Sequence, residues 1–181
     1  MSGQWKFASC VVAMLAIGCK EDSVVGGTPG SNEFPQLMQF SASGVTGSSR
    51  TYTRCTGSYD PVTHWTTVGT LDDSASKGKF VLQFHGNGAG TYAYNVTGSS
   101  SDLNQVSMRF VPSYTNNTPD AVFELTGNPA DSLEAQLEVV HFGTVQDSVT
   151  GTFSARLRMT SPSINFKILL YSGSFTAKRL E

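Results

Sequence analysis

Charged residues are scarce in this chain of 181 residues. Asp, Glu, Lys and Arg make up 14% of the sequence, whereas an average soluble domain contains about 25%. Twelve basic residues against fourteen acidic ones leave a net charge of −2. The chain therefore lacks the basic surplus that nucleic-acid binding requires, and we expect no nucleic-acid partner.

Catalytic and cofactor-binding motifs are also missing. The sequence has no Gly-x-Ser-x-Gly elbow, no His-Glu-x-x-His, no Cys-x-x-Cys and no Walker-type phosphate loop. It contains three histidines, His64, His85 and His141. No two of them, and no histidine with an acidic residue, have the sequence spacing typical of metal ligands. We predict a protein without catalytic residues, bound metal or cofactor. A zinc or hydrolase site assembled from distant strands is the alternative.

The most apolar stretch, Phe7 to Gly18, contains twelve residues and follows Lys6. A bilayer span needs ~20 apolar residues, so this stretch is too short to cross a membrane and is typical of a secretory signal peptide. It ends in Ala-Ile-Gly directly before Cys19. This ending allows two interpretations: cleavage by ordinary signal peptidase before residue 19, or a bacterial lipobox, which it resembles and in which the cysteine is acylated.

The cysteines predict a mature domain without an internal disulfide. Cys10 lies in the signal peptide and Cys19 would carry the lipid, which leaves Cys55 alone. A catalytic thiol needs a low pKa from a neighbouring histidine or a helix N-terminus, and the sequence places neither beside Cys55. We expect Cys55 to be a small buried hydrophobic residue.

The rest of the chain predicts a tether and a single β-domain. Residues 20–35 carry three glycines and two prolines without periodicity, which is typical of a flexible linker. From about residue 37 onward, apolar and polar residues alternate with a period of two. We therefore predict a signal peptide over 1–18, the lipidated cysteine and tether over 19–35, and one domain over 36–181.

The alternation defines the fold class. Short alternating segments separated by regularly spaced turn residues predict an all-β domain. We expect an antiparallel sandwich or a small up-and-down or lipocalin-like barrel of roughly 8–10 strands, preceded by a signal helix and the tether.

Two segments predict local strand arrangements. Gly86–Gly90 separates two alternating segments and predicts a hairpin connection, because glycine adopts the positive φ that hairpin turns need. Residues 133–139 contain helix-forming residue types but alternate strictly. We expect the period to outweigh the propensity and to give a strand there.

An internal repeat occurs near the end of the sequence. Residues 151–156 and 173–178 share the pattern Gly-[Ser/Thr]-Phe-[Ser/Thr]-Ala-basic. The pattern predicts neighbouring strands or a long hairpin, with Phe153 and Phe175 on the buried face. The apolar face changes from even to odd residue numbers near Ser172 and Gly173, which predicts a β-bulge.

Amphipathic aromatic rings are the candidates for ligand contact. Tyr59, Trp65 and Tyr114 could stack on sugars or on a partner protein. Trp65 follows a proline-containing turn, which favours a surface position. Core packing is the alternative interpretation, and the alternation favours it for Tyr92 and Tyr94.

The cysteine at the cleavage site, the Lys-Glu-Asp that follows it and the closing strand pair resemble small surface lipoproteins of Bacteroidota with a single β-domain. One position departs from the lipobox, because Ala16 stands where leucine is usual. The resemblance implies a lipid anchor on Cys19 and an export signal at Lys20, Glu21 and Asp22. It also implies a location at the outer membrane, facing outward, and it carries no assigned activity.

Four tripeptides have the form Asp-[Ser/Thr]-apolar, where the composition predicts about one. They resemble the acceptor motif for O-glycosylation in Bacteroidota, and their hydroxyls belong to Ser23, Ser74, Ser132 and Ser148. The alternative is that Asp-Ser simply opens turns, because both side chains accept hydrogen bonds from local backbone N–H groups.

These observations predict a lipid-anchored, non-enzymatic β-domain at the cell surface that binds or presents a glycan or protein ligand. A structural component of a surface coat is one alternative and would need an exposed strand edge for pairing. A hydrolase with a scattered active site is the other.

Overall fold

The computed structural model describes residues 35–43, 49–71, 78–95, 105–125, 133–162 and 167–181. The predicted signal peptide, Cys19, the export tripeptide Lys20, Glu21 and Asp22, and the tether up to residue 34 lie outside the described residues, as do Ser23, Ser74 and Ser132. Residues 33–181 form one compact unit. No helix within the described ranges is long and apolar enough to span a bilayer.

The described part of the chain is all-β, as predicted. It contains thirteen strands, nine of which have six residues or more. Their bounds are β1 Leu37–Ala42, β2 Arg50–Tyr52, β3 Cys55–Asp60, β4 Trp65–Thr70, β5 Lys79–His85, β6 Gly90–Asn95, β7 Val106–Val111, β8 Tyr114–Thr115, β9 Thr118–Pro119, β10 Val122–Glu124, β11 Glu134–Phe142, β12 Ser148–Ser161 and β13 Ile168–Arg179.

Eleven of these strands form one mixed sheet that closes on itself. Strands β13, β3, β4, β5, β7, β10 and β12 follow one another, and the pairing of β12 with β13 completes the circuit. Strands β1 and β2 extend the sheet from β13, and β11 and β6 extend it from β12. All pairings are antiparallel except that of β13 with β3. The fold is therefore sandwich- or barrel-like, with β8 and β9 as a separate small hairpin.

Aromatic rings occupy the space inside this circuit. The ring centroid of Phe40, on β1, lies 4.9 Å from that of Phe80 and 5.0 Å from that of Phe110. Phe153 and Tyr171 also contact Phe40, at 6.3 and 6.0 Å. Burial of the hydroxyl raises the pKa of Tyr171. Because aromatic side chains fill the interior, a ligand site is expected on the outer surface of the strands.

The period-two pattern is confirmed in detail. Phe80, Leu82 and Phe84 are fully buried on β5, as their alternation predicted. Strand β11 forms despite its helix-forming residues, because its alternate side chains Leu137 and Val139 are buried while β6 and β12 pair with its two edges. Cys55 is a buried free cysteine, also as expected.

The repeated Gly-x-Phe pattern sets glycine opposite phenylalanine in the pairing of β12 with β13. Gly151 lies opposite Phe175, and Phe153 lies opposite Gly173. A Cβ atom on Gly151 would meet the backbone of β11 and lie 2.9 Å from the Phe175 ring, whereas one on Gly173 would meet the backbone of β1 beside Phe40. Each glycine therefore allows a neighbouring strand to approach closely.

The β-bulge predicted near Ser172 and Gly173 is wrong. The register of β12 with β13 is unbroken from Ser148 opposite Lys178 to Arg158 opposite Ile168. The prediction assumed that the even-numbered apolar residues before Tyr171 face inward. Odd-numbered Leu169 is the buried residue instead, and Leu170 is 42% exposed.

The hairpin predicted at Gly86–Gly90 is also wrong. Strand β5 pairs with β4 and β7, whereas β6 pairs with β11. Strand β7 occupies the edge of β5 along most of its length, so β6 has no free edge to pair with. Across the link the ring centroids of Phe84 and Tyr92 lie 4.7 Å apart, and the Tyr92 hydroxyl donates to the Gly88 carbonyl at 2.9 Å.

Candidate functional site on the outer face of β3, β4 and β5

Two rows of outward-facing side chains cross strands β3, β4 and β5. The cross-strand register sets Asp60, Trp65 and His85 in the first row and Ser58, Thr67 and Gln83 in the second. On β4 the alternate residues Thr66 and Val68 are buried, at 1% and 0% exposure. Since successive side chains of a strand point to opposite faces, Trp65 and Thr67 face outward.

A shallow cavity of about 330 Å³ lies on this face. It is lined by Ser58, Asp60, Thr63, Trp65, Thr67 and Gln83. One indole ring thus stands beside two threonines, a serine, an amide and a carboxylate. Ligand sites commonly combine an apolar surface with a few well-placed polar groups in this way.

Asp60 organises the turn between β3 and β4. Its Oδ1 atom accepts a hydrogen bond from the Val62 backbone N–H at 2.8 Å, and its Oδ2 atom accepts one from the Thr63 hydroxyl at 2.7 Å. These bonds, that of Thr63 most of all, hold the pKa of Asp60 below its ordinary value. Asp60 is therefore ionised at neutral pH and can act only as a hydrogen-bond acceptor.

His64 is fixed at the end of this turn. Its φ of +60° lies in the left-handed region, which is uncommon for residues other than glycine. Its backbone N–H donates to the Asp60 carbonyl at 2.8 Å, and its own carbonyl accepts from the Gly86 N–H at 2.9 Å. The Tyr59 hydroxyl lies 3.0 Å from Nδ1 and orients the ring. Tyr59 thus positions His64 and does not line the cavity.

The aromatic rings continue from the turn to Trp65. The His64 and His85 centroids are 6.1 Å apart, and His85 meets Trp65 edge-on at 5.7 Å. The Thr66 hydroxyl donates to the Gly86 carbonyl at 2.5 Å. Hydrogen bonds to Gly86 thus join the turn before Trp65 to the link after β5. Since these two segments flank Trp65, its position is fixed before a ligand binds.

The second row, of Ser58, Thr67 and Gln83, keeps groups that can hydrogen-bond a ligand. Gln83 Nε2 donates to Thr67 Oγ1 at 3.0 Å. This bond uses a lone pair of Thr67 and one N–H of Gln83. The Thr67 hydroxyl hydrogen and the Gln83 amide oxygen are still able to bond a ligand.

Only one of the three predicted aromatic contacts lines the cavity. Trp65 does so, and Tyr59 supports the adjoining turn. Tyr114 lies on β8, three residues beyond Val111, which pairs with Lys79 at the far end of β5. The structure therefore does not bring Tyr114 to the other two rings.

Ser148 is the only proposed glycosylation acceptor among the described residues, and it is 6% exposed at the start of β12. Its burial argues against modification of the folded domain there, because a transferase must reach the hydroxyl.

The histidines do not form a metal site within the described residues, where no group of three or more His, Cys, Asp or Glu side chains could hold an ion. His141 is paired instead, with its Nε2 atom 3.2 Å from Oδ2 of Asp147. The Ser148 backbone N–H, and then His141, lower the pKa of Asp147.

Four further residues line the cavity although no sequence pattern predicted them: Ser58, Thr63, Thr67 and Gln83. Their composition is ordinary for exposed strand positions, and no motif marks them. One signal was available: Thr67 is two residues from Trp65, so a strand places both on one face. Gln83 joins them only through the register of β4 with β5.

A second depression, of about 360 Å³, lies across β6, β11 and β12. Its lining includes Gln136, Ser154 and Glu134, and its one aromatic residue, Tyr94, packs against the core. The Trp65 cavity is therefore the better candidate for a ligand that needs both stacking and hydrogen bonds.

Known proteins offer no parallel from which to assign the site. Comparison of the chain with protein-family models, with curated proteins and with solved structures gives no match.

Proposed function

We propose that this domain binds a carbohydrate in the Trp65 cavity. The observation that carries the proposal is the position of one outward-facing indole among hydrogen-bonding side chains, all neutral except the Asp60 carboxylate. A sugar ring has an apolar C–H face and hydroxyl groups around its edge. An aromatic ring packs against the C–H face, and hydroxyl, amide and carboxylate groups form hydrogen bonds with the sugar hydroxyls.

The polar groups of the cavity match a neutral sugar. Asp60 accepts hydrogen bonds, whereas Thr67 and Gln83 offer both donors and acceptors. The cavity lining contains no basic side chain that would favour a phosphate or sulfate group.

Hydrolysis of the bound glycan is the second candidate function, favoured by the closeness of His64 and His85 to Trp65. Glycoside hydrolysis ordinarily uses a pair of carboxylates. A single carboxylate, Asp60, lines this cavity, and it is already bonded to its own turn. Binding without hydrolysis therefore fits the geometry better.

We further propose that the domain is presented at the cell surface by a lipid on Cys19. The support comes from the sequence: an apolar stretch too short to span a bilayer, a cysteine directly after it, and a glycine-rich tether. Two acyl chains would make the attachment stable, where one would be marginal. A coat or assembly role with a protein ligand is the alternative for the same location.

Trp65 allows the binding proposal to be tested directly. In the full chain carrying Trp5→Phe, Trp65 is the remaining tryptophan, and its fluorescence should change as sugars from a glycan panel are titrated. Trp65→Ala should lose at least tenfold in affinity on a glycan array. Tyr114→Ala, on the distant hairpin, is the matched aromatic control and should bind normally. Equal array binding by Trp65→Ala and the parent protein would reject the proposal.

A further inference from the structure

We propose that the Trp65 site continues along β4 to Gly69 and binds a linear, neutral oligosaccharide rather than a single sugar. This inference rests on the proposed carbohydrate binding and names the class of ligand. The reason lies in how the outward side chains of β4 change in size along the strand.

The outward positions of β4 are Trp65, Thr67 and Gly69, because the alternate residues are buried. The side chain shrinks along this series from an indole to a hydroxyl group and then to a hydrogen atom. Among the described residues, a Cβ atom placed on Gly69 would meet nothing nearer than the Phe80 carbonyl oxygen at 4.0 Å. No described side chain therefore covers the outer face of β4 at Gly69.

Neighbouring strands provide the sides of this open stretch. Thr56 of β3 and Val81 of β5 lie directly opposite Gly69, one on each side. Together with Ser58 and Gln83 in the adjoining row, they make two walls of half-buried side chains. We call the space between these walls, from Trp65 to Gly69, the β4 trough.

The length of the β4 trough favours a chain of sugars. Gly69 lies four steps along the strand from Trp65, and at about 3.3 Å per step the distance is ~13 Å, enough for an oligosaccharide of about two to three units. A single sugar stacked on Trp65 would leave the Gly69 end empty.

The chemistry of the β4 trough changes along its length in a way that suits such a chain. At one end Trp65 offers an aromatic face. In the middle Ser58, Thr67 and Gln83 offer hydrogen bonds, and at the far end Val81 offers an apolar surface beside bare backbone. The two walls themselves carry no charged side chain between Asp60 and the Gly69 row, and the nearest cations, Lys178 beside Thr56 and Arg109 beside Val81, stand one strand farther out.

The test compares sugars of increasing length on a variant that blocks only the Gly69 end. The probes are glucose, N-acetylglucosamine and mannose, each with its linear oligomers of two, three and four units. The readout is Trp65 fluorescence in the full chain carrying Trp5→Phe. We expect the affinity of one series to rise at least tenfold from one to three units and to change less than twofold at four.

Gly69→Val fills the far end of the β4 trough. Valine favours strands, and a Cβ atom at Gly69 makes no contact closer than 4.0 Å with the described residues, so the variant should fold. In this variant the affinity should no longer rise between one and three sugar units. Thr152→Val, on the exposed face of β12, is the matched control and should keep this rise in affinity.

The outcomes separate this inference from the proposed function. If a monosaccharide binds and Gly69→Val shows the same length dependence as the parent, the β4 trough is not part of the site, although carbohydrate binding stands. Equal affinity for one and three units in the parent would overturn the inference in the same way. If none of these sugars changes Trp65 fluorescence, both proposals fail.

Discussion

Truncation of Phe153 tests the central packing of the fold. Its side chain is 4% exposed, and its ring centroid lies 5.1 Å from that of Phe80 and 6.3 Å from that of Phe40. Replacing a buried phenylalanine with alanine typically costs about 3–5 kcal/mol, from lost burial and from the cavity that remains. We expect the upper part of this range, because the sheet on which Phe153 lies closes on itself and has little freedom to collapse into the cavity.

The neighbouring residue supplies the control. Thr152 is exposed on the other face of β12, and Thr152→Ala should change the free energy of unfolding by no more than about 0.5 kcal/mol. Urea unfolding of both variants and the parent measures the difference, with an unchanged dependence on denaturant showing that the unfolded state is the same. A domain has about 5–15 kcal/mol of stability, so the Phe153→Ala transition should move far to lower urea. Equal midpoints for the two variants would refute the assigned faces.

Two further predictions concern Asp60 and the proposed anchor. Because the folded-state pKa of Asp60 is lowered, its ionised form stabilises the fold above the ordinary aspartate pKa, and this contribution disappears as the pH falls through the folded-state value. Asp60→Asn should therefore melt below the parent at pH 7, and the two melting curves should converge in acid; a gap independent of pH would contradict this. Cys19→Ser removes the thiol that would accept the lipid, so the protein should accumulate as an unprocessed precursor or leave the detergent phase in phase partitioning. A Cys19→Ser protein that stays membrane-bound and open to protease on whole cells would show that the apolar N-terminal stretch itself is the anchor.

Much of the fold could be predicted from period-two alternation, because burying one face of a strand constrains every second residue. That constraint identified the faces of β5 and β11, whereas the pairing of β12 with β13 was predicted from their repeated sequence. Alternation alone does not identify partners: the glycine-rich link after β5 has hairpin composition, yet β7 occupies the adjacent edge. Alternation also led to the wrong prediction of a β-bulge, because the apolar residues Ile168 and Leu170 are exposed rather than buried.

The site was less predictable than the fold. Trp65 could be found because an aromatic residue after a proline-containing turn is conspicuous in the sequence. Its partners could not, because Thr67 and Gln83 become neighbours through the pairing of β4 with β5, sixteen residues apart along the chain. Hydrogen bonding between distant strands leaves no local pattern in the sequence.

The filled interior has a consequence for how this domain can change over time. Phe80, Val68 and the other inward residues maintain the packing, while Trp65, Thr67 and Gln83 stand on the opposite face of the same strands. Exposed substitutions usually alter stability by no more than about 0.5 kcal/mol. Ligand preference can therefore drift, one outward position at a time, without eroding the core. In a barrel that binds inside its lumen, by contrast, the same side chains must satisfy both the ligand and the fold.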